Sequence, residues 1–206
     1  ETEPIDKKTE NQFIELILQN IKKFKIDVVI FEDYDKGVIT EKVIREVVAF
    51  CQSNKIPTAV DPKKRNYPFY KNVTLFKPNL KELKEGLKTD FDIDEKHAFE
   101  KAVAQQESLL NNEITLVTLS ELGIYAKSKN ESHHIKAHLR DITDVSGAGD
   151  TVISIAALCL AKKTDLKFLA ELSNIAGGLV CENVGVSPID KNALLNESKR
   201  LLTSSE

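Results

Sequence analysis

The run Asp144-Val-Ser-Gly-Ala-Gly-Asp-Thr151 sets two glycines around one alanine, follows them at once with an aspartate, and leads into a long apolar helix pattern. A small-residue turn that opens a helix bares unpaired backbone N–H groups and the positive end of the helix dipole. Such a turn is an anion site, best suited to phosphate, and Asp150 beside it is placed to accept a proton. The chemistry this predicts is phosphoryl transfer. The alternative without chemistry is a tight turn with an aspartate near a helix start.

Beyond the turn, Ile153, Ala156, Ala157, Leu160 and Ala161 form a small-residue helix face suited to close packing under a sheet. Leu169, Leu172, Ile175, Ala176, Leu179 and Val180 mark a second helix, and residues 189–202 a third. Before the turn, residues 123–126 and 134–137 read as a hairpin and residues 114–118 as a strand. Residues 95–110 carry a helix. Residues 73–77 form a strand stopped by Pro78, after which Asn79 caps a helix and Glu82 completes a capping box.

Near the start, Phe13, Leu16, Ile17, Ile21 and Phe24 recur at helical spacing. Asp27-Val-Val-Ile-Phe31 is a continuous apolar run, as expected of a strand covered on both faces. Thr40 caps a helix with the stripe Val43, Ile44, Val47, Val48 and Cys51, and Pro57 restarts the chain into a strand at 58–61. That is one βαβ unit. Strands and crossover helices alternate for most of the length, so the fold class is α/β, a mostly parallel twisted sheet flanked by helices.

At 206 residues, 41% hydrophobic and 30% charged, the chain supports a core and is read as one domain over 1–206, without linker, repeat or low-complexity tract. A net charge of -3 gives no support for nucleic acid as a partner. No apolar run approaches the roughly 20 residues that span a bilayer, so no membrane partner is expected. Cys51, Cys159 and Cys181 lie on apolar helix patterns and contain no C-x-x-C pair, which predicts buried free thiols in a reducing, cytoplasmic compartment. The opening Glu1-Thr-Glu-Pro-Ile-Asp6 has neither an initiating methionine nor a secretory signal, and the chain has no methionine at all. The expectation is a chain that begins part-way into a longer protein.

Ligands in doubly wound sheets gather beyond the carboxyl ends of parallel strands. The polar loops obey that rule: Glu32-Asp-Tyr-Asp-Lys-Gly37, Asp61-Pro-Lys-Lys-Arg65, the stretch from Pro78 and Asn79 to Glu82, and Thr118-Leu-Ser-Glu-Leu-Gly123 each leave a strand. They are expected to converge on one cleft with the turn at Gly147.

Asp33-Tyr-x-Lys-Gly37, Val60-Asp-Pro-Lys63, Lys77-Pro-Asn-x-x-Glu82 and the 144–151 run together resemble the ribokinase-type (PfkB) carbohydrate kinases. The nearer resemblance is to the heptose-7-phosphate kinase domain of the bifunctional ADP-heptose synthases, which continues Gly-Ala-Gly-Asp with Thr-Val-Ile as Thr151-Val-Ile153 does here. The resemblance runs from about residue 27 to the last helix.

What the resemblance implies is ATP-dependent, magnesium-assisted phosphorylation of a sugar-phosphate hydroxyl, with heptose 7-phosphate going to heptose 1,7-bisphosphate. Asp150 is then the base, and Gly147, Ala148 and Gly149 supply backbone donors to the transferred group. Asn79 and Glu82 organise magnesium and phosphates, often through water, although a capping box explains the same spacing without metal. Thr118, Ser120 and Gly123 fall on the nucleotide-side loop, Asn174 and the pair Gly177-Gly178 on the helix beside the adenine, and Gly185 on a late glycine position. Helix crowding explains the glycine pair equally well.

Lys36 and Lys63 meet phosphate or are solvated surface charges, with Arg65 a weaker candidate. His133, His134 and His138 read as solvated loop and strand, because neighbours on a strand face opposite ways. In the family an earlier segment carries the first strands, a small β lid, most sugar contacts and dimer contacts. The chain therefore resembles roughly the carboxyl-terminal two-thirds of a kinase domain, with the amino-terminal part and lid missing and a homodimer expected of the intact protein. It has no trace of a nucleotidyltransferase domain. Two other readings stand beside this one: a kinase of the same architecture for another sugar, a nucleoside or a vitamin, and a non-catalytic nucleotide-binding or assembly module.

Overall fold

The computed structural model describes residues 3–93 and 95–202, so Glu1 and Thr2 of the opening run lie outside the described residues. The chain separates into two compact units, residues 1–115 and 116–206.

In the first unit, α1 (Lys7–Lys23) opens on Asp6, whose carboxylate accepts from the backbone of Lys8 at 2.9 Å and Thr9 at 3.1 Å. β1 (Val29–Glu32), α2 (Glu41–Ser53) and β2 (Thr58–Asp61) form the expected βαβ unit, with β1 and β2 parallel and Glu32 level with Asp61. β3 (Leu75–Phe76) pairs parallel to β2, and α3 (Leu80–Leu87) and α4 (Lys96–Leu110) lead to β4 (Ile114–Thr118), parallel again to β3. Thr40 caps α2 as expected, its hydroxyl accepting from Val43 N and donating to Glu10 of α1 at 2.6 Å. The whole stripe Val43, Ile44, Val47, Val48 and Cys51 is buried with Phe31, Val60, Tyr67, Tyr70, Phe76 and Leu110. Each such Val, Ile, Leu or Phe side chain contributes about 1.5–3 kcal/mol relative to exposure.

Three expectations change here. The buried face of α1 centres on Ile14 and Ile21, while Leu16 is 56% and Phe24 53% exposed. Phe24 falls just past the helix end, and Leu16 sits on the outer side of the stripe that meets α2. β1 is covered on one face only: Phe31 is buried and Ile30 is 37% exposed. Among the described residues β1 pairs with β2 alone, so an apolar run there marks an edge strand. The third strand keeps only Leu75 and Phe76, because at Thr74 the pairing to β2 passes through threonine hydroxyls, Thr74 Oγ1 accepting from Thr58 N at 3.1 Å and Thr58 Oγ1 from Thr74 N at 3.2 Å.

The second unit contains β5 (Ile124–Ser128) and β6 (Ser132–Ile135), an antiparallel hairpin that pairs Tyr125 with His134. The second hairpin strand thus starts earlier and ends earlier than residues 134–137. α5 (Ala148–Lys162), α6 (Leu166–Val180) and α7 (Lys191–Leu202) follow, with α5 and α7 both packed on α6 and α6 packed on the hairpin. α5 begins two residues before Asp150 and packs against α6, where a Cβ added to Gly177 would lie 2.7 Å from Val152 Cγ2, a residue beside the small-residue face. Of that face Ile153, Ala156 and Ala157 are buried and Leu160 and Ala161 half-buried. All three cysteines are free and buried, as expected, but Cys181 caps the end of α6 rather than lying within it. Among the described residues no helix is long and apolar enough to cross a membrane.

Candidate functional site

In the first unit the polar residues sit where parallel strands end. Asn79 caps α3: its side chain accepts from Glu82 N at 2.8 Å, and Glu82 Oε2 accepts from Asn79 N at 2.9 Å. The capping box read from spacing is present in full. What spacing could not show is that Glu82 Oε1 also accepts from Lys63 Nζ, nineteen residues earlier. Lys63 Nζ further lies 3.9 Å from Asp61 Oδ1. Lys63, Asn79 and Glu82 are therefore brought together, with Asp61 added.

Asp61 ends β2, and Val60 is level with Phe76 on β3, so the next residues along, Asp61 and Lys77, are neighbours. Lys77 is only 2% exposed and its Nζ meets Asp61 Oδ2 at 2.9 Å. Asp61 Oδ1 is buried without a hydrogen-bond partner. Burial raises the Asp61 carboxyl above the usual carboxylate range, against the pull of the Lys77 ammonium. Lys63 stands above the usual lysine range: burial pulls it down, but Glu82 and Asp61 outweigh that.

A second polar group forms around Asp33, which the sequence shows only as part of the Asp33-Tyr-x-Lys-Gly37 run; its partners Asn66 and Tyr70 carry no local signal. Asp33 is 3% exposed, and its Oδ2 accepts from Asn66 Nδ2 at 2.9 Å and Tyr70 Oη at 2.8 Å, while Oδ1 accepts from Asp35 N at 2.8 Å. This pins the root of the loop that carries Lys36, itself exposed. Arg65 Nε lies 3.0 Å from Asp35 Oδ1 in the same loop.

In the second unit, Gly147 is the N-cap of α5 at φ 80°, ψ -1°, a left-handed conformation that suits glycine. No side chain caps this helix start, and Ala148, Gly149 and Asp150 form its first turn. Asp150 is half-buried rather than turned into the apolar interior. The turn is held from behind by Asp144, whose Oδ1 accepts from Ser146 N at 2.9 Å and Oδ2 from Gly185 N at 3.0 Å. The Ser146 bonds, with that from Gly185, hold the Asp144 carboxyl below the usual range. Asp144 has no role assigned by the motif alone; its place two residues before Ser146, the spacing of an Asx turn, is the local signal for the first of these bonds.

Thr118 ends β4 half-buried, and Ser120 is exposed. Gly123 is buried at φ 90°, and a Cβ there would fall 2.0 Å from the Ile135 carbonyl oxygen, so close approach of β6 accounts for this glycine. Asn174 spends its amide on the Lys136 carbonyl at 2.8 Å, tying α6 to the end of β6. Gly178 faces Arg140, whose Nε lies 2.8 Å from where a Cβ would be. Crowding thus accounts for both members of the glycine pair. Arg140 itself meets Glu182 at 2.6 Å and Glu197 at 2.7 Å. His133 pairs with Glu131 at 2.6 Å and His134 Nε2 with the Leu122 carbonyl at 2.9 Å; the first is half-buried and the second exposed, as alternation requires. Burial, with Arg140 adding to it, lowers His138 below the usual histidine value.

The pattern of the pfkB family carbohydrate kinases matches residues 4–192. The bifunctional protein HldE of Campylobacter concisus is 38% identical over 177 residues, covering 86% of this chain and 36% of that protein. HldE of Desulfatibacillum aliphaticivorans is 34% identical over 197 residues, covering 92% of this chain and 40% of that protein. The chain thus spans less than half the length of these curated relatives. Among solved structures, Escherichia coli phosphofructokinase-2 in complex with potassium superposes with a TM-score of 0.81 at 16% identity, over 94% of this chain and 62% of that one. Arabidopsis thaliana ribokinase complexed with ribose and ATP gives 0.72 at 17% identity, over 94% and 59%. At such identities the likeness speaks for the fold alone, which is the ribokinase-like α/β fold.

Proposed function

Because the chain belongs to the pfkB family of carbohydrate kinases, we propose that it carries the phosphate-binding and proton-accepting part of an ATP-dependent sugar-phosphate kinase, with heptose 7-phosphate as the acceptor. The observation that carries this reading is the uncapped, left-handed turn at Gly147 with a half-buried carboxylate in the first helical turn behind it. Backbone N–H groups of Gly147 and Gly149 donate to anionic oxygen there, aided by the α5 dipole, and Ala148 N, which donates to the Val145 carbonyl at 3.3 Å in this structure, joins them on exchanging that long bond for the ligand. Asp150 accepts the proton of the acceptor hydroxyl.

The donor sets fit the groups the family uses. An uncapped helix start suits a polyphosphate. Asn79, Glu82 and the unpartnered buried Asp61 Oδ1 are oxygen donors of the kind magnesium takes, in part through water. When bound, ATP with magnesium supplies the transferable phosphoryl group and neutralises charge on it. Lys63 adds a cation to the first unit's cluster. Thr118 and Ser120 are proposed as nucleotide-side contacts, whereas Gly123, Asn174 and Gly178 act by shaping the backbone around them. A homodimer of the intact protein and a cytoplasmic location belong to the same reading, and the three buried free thiols support a reducing compartment.

The test is a panel of sugar phosphates, free sugars and nucleosides offered to the full-length protein with magnesium and ATP, together with calorimetry of nucleotide binding. Magnesium-dependent ATP binding with turnover of heptose 7-phosphate supports the reading. Turnover of another acceptor alone moves the substrate; well-folded protein without magnesium-dependent ATP affinity favours a non-catalytic module.

A further inference from the structure

Lys63 lies between two carboxylates. Its ammonium is bonded to Glu82 Oε1 and stands 3.9 Å from Asp61 Oδ1. The Asp61 side chain is 9% exposed, and its Oδ1 has no hydrogen-bond partner. The other oxygen, Oδ2, is taken by the buried Lys77 at 2.9 Å, which leaves Oδ1 as the oxygen nearer Lys63. Glu82 Oε2 is likewise occupied, by Asn79 N at 2.9 Å, which leaves Oε1 turned to the same ammonium.

Two carboxylates, each with its second oxygen spoken for, and one half-buried ammonium between the remaining two oxygens have the charge pattern of a cation site already filled by a side chain. The Lys63 side chain is 39% exposed and flexible, so it can leave, while Asp61 and Lys77 cannot. The helix cap does not require Lys63, because Asn79 and Glu82 satisfy each other without it.

We propose that Lys63 is a built-in counter-cation of this cluster: it occupies the Asp61–Glu82 pair in the absence of a divalent cation and is displaced when one binds. The displaced ammonium is then available to anionic oxygen. This rests on the kinase reading for the identity of the divalent ion, but the competition itself is a property of the first unit's own residues. It has a direction opposite to simple intuition, since removing a charged residue from the cluster strengthens metal binding.

The experiment uses Mn2+ alone as the probe, with nucleotide-free protein at neutral pH, free Mn2+ being read by electron paramagnetic resonance. Lys63→Met is expected to bind Mn2+ at least about tenfold more tightly than wild type, as loss of one nearby positive charge requires. Lys63→Arg, which keeps the charge, stays close to wild type. Adding Glu82→Gln to Lys63→Met abolishes the gain. Thermal melts of each variant verify folding, and the half-buried position of Lys63 leaves room for both single substitutions. Equal or weaker Mn2+ binding by folded Lys63→Met overturns the proposal, as does a gain that persists in the double variant. Turnover by the wild type is measured separately: a catalytically active wild type with no Mn2+ gain in Lys63→Met sinks this inference alone, whereas an inactive wild type sinks the kinase reading and leaves the Mn2+ result to decide the competition.

Discussion

Tyr70 Oη donates to Asp33 Oδ2 at 2.8 Å, and both residues are buried. Tyr67, also fully buried, has a hydroxyl with no hydrogen-bond partner. The two tyrosines therefore respond oppositely to loss of their hydroxyl. Tyr70→Phe removes a bond to a buried carboxylate and is expected to cost about 1–3 kcal/mol. Tyr67→Phe removes an unsatisfied polar group and is expected to be neutral or stabilising. Urea denaturation of the two variants checks the sign of each; equal destabilisation would contradict the hydrogen-bond assignment.

On the proposed function, Asp150→Asn keeps the shape of the side chain and removes its basicity. Turnover of the full-length protein should fall by about 10²–10⁴, with nucleotide affinity by calorimetry and the melting temperature nearly unchanged. Loss of nucleotide affinity together with stability would assign Asp150 to the fold instead.

Arg200 and Arg140 both donate to Glu197, and Arg200, with Arg140 adding to it, holds the Glu197 carboxyl down to about 2 against burial. A depressed carboxyl stabilises the folded state above its ordinary value and loses that contribution as pH falls through the folded one. The second unit is thus expected to lose stability between roughly pH 4.5 and 2 on this account. Melting temperatures across that window should fall less steeply for Glu197→Gln than for wild type. Parallel curves would remove the Arg140–Glu197–Arg200 network from the explanation of acid sensitivity.

Gly123→Ala places a Cβ 2.0 Å from a backbone carbonyl at a φ of 90°. Neither the strain nor the overlap can relax cheaply, so a loss of about 2–4 kcal/mol is expected. By contrast Gly185→Ala meets nothing within 4 Å and carries only the left-handed backbone penalty, about 1–2 kcal/mol. Denaturation midpoints of the pair separate contact from conformation; a Gly185 variant as damaged as the Gly123 variant would mean that the contact adds nothing.

Where the physics is local, residue spacing is enough to predict the outcome. The Thr40 cap, the Asn79–Glu82 box and the stripe of α2 each act within a few residues, and each is present as spacing predicts. On α1, Phe13, Ile17 and Ile21 join the core as their spacing predicts, but Leu16 and Phe24 fit the same period, and only the position of α2 decides that they stay outside while Ile14 goes in. β1 looked doubly covered because an apolar run does not say which strand is the edge. The glycine pair of α6 left two explanations open, and the neighbours Val152 and Arg140 could be named only from coordinates.

Residue order alone settled the alternation of strands and helices and the small-residue turn that starts α5, because these depend on backbone preferences and side-chain period over one or two turns of chain; the family came from the likeness of whole motifs, not from period. Folding in three dimensions decided the partners: Lys63 with Glu82, Lys77 with Asp61, Tyr70 with Asp33. Such pairs join residues 16 to 37 positions apart, and their meeting is set by parallel-strand register and by where each crossover helix returns the chain, neither of which is written in any single stretch of it.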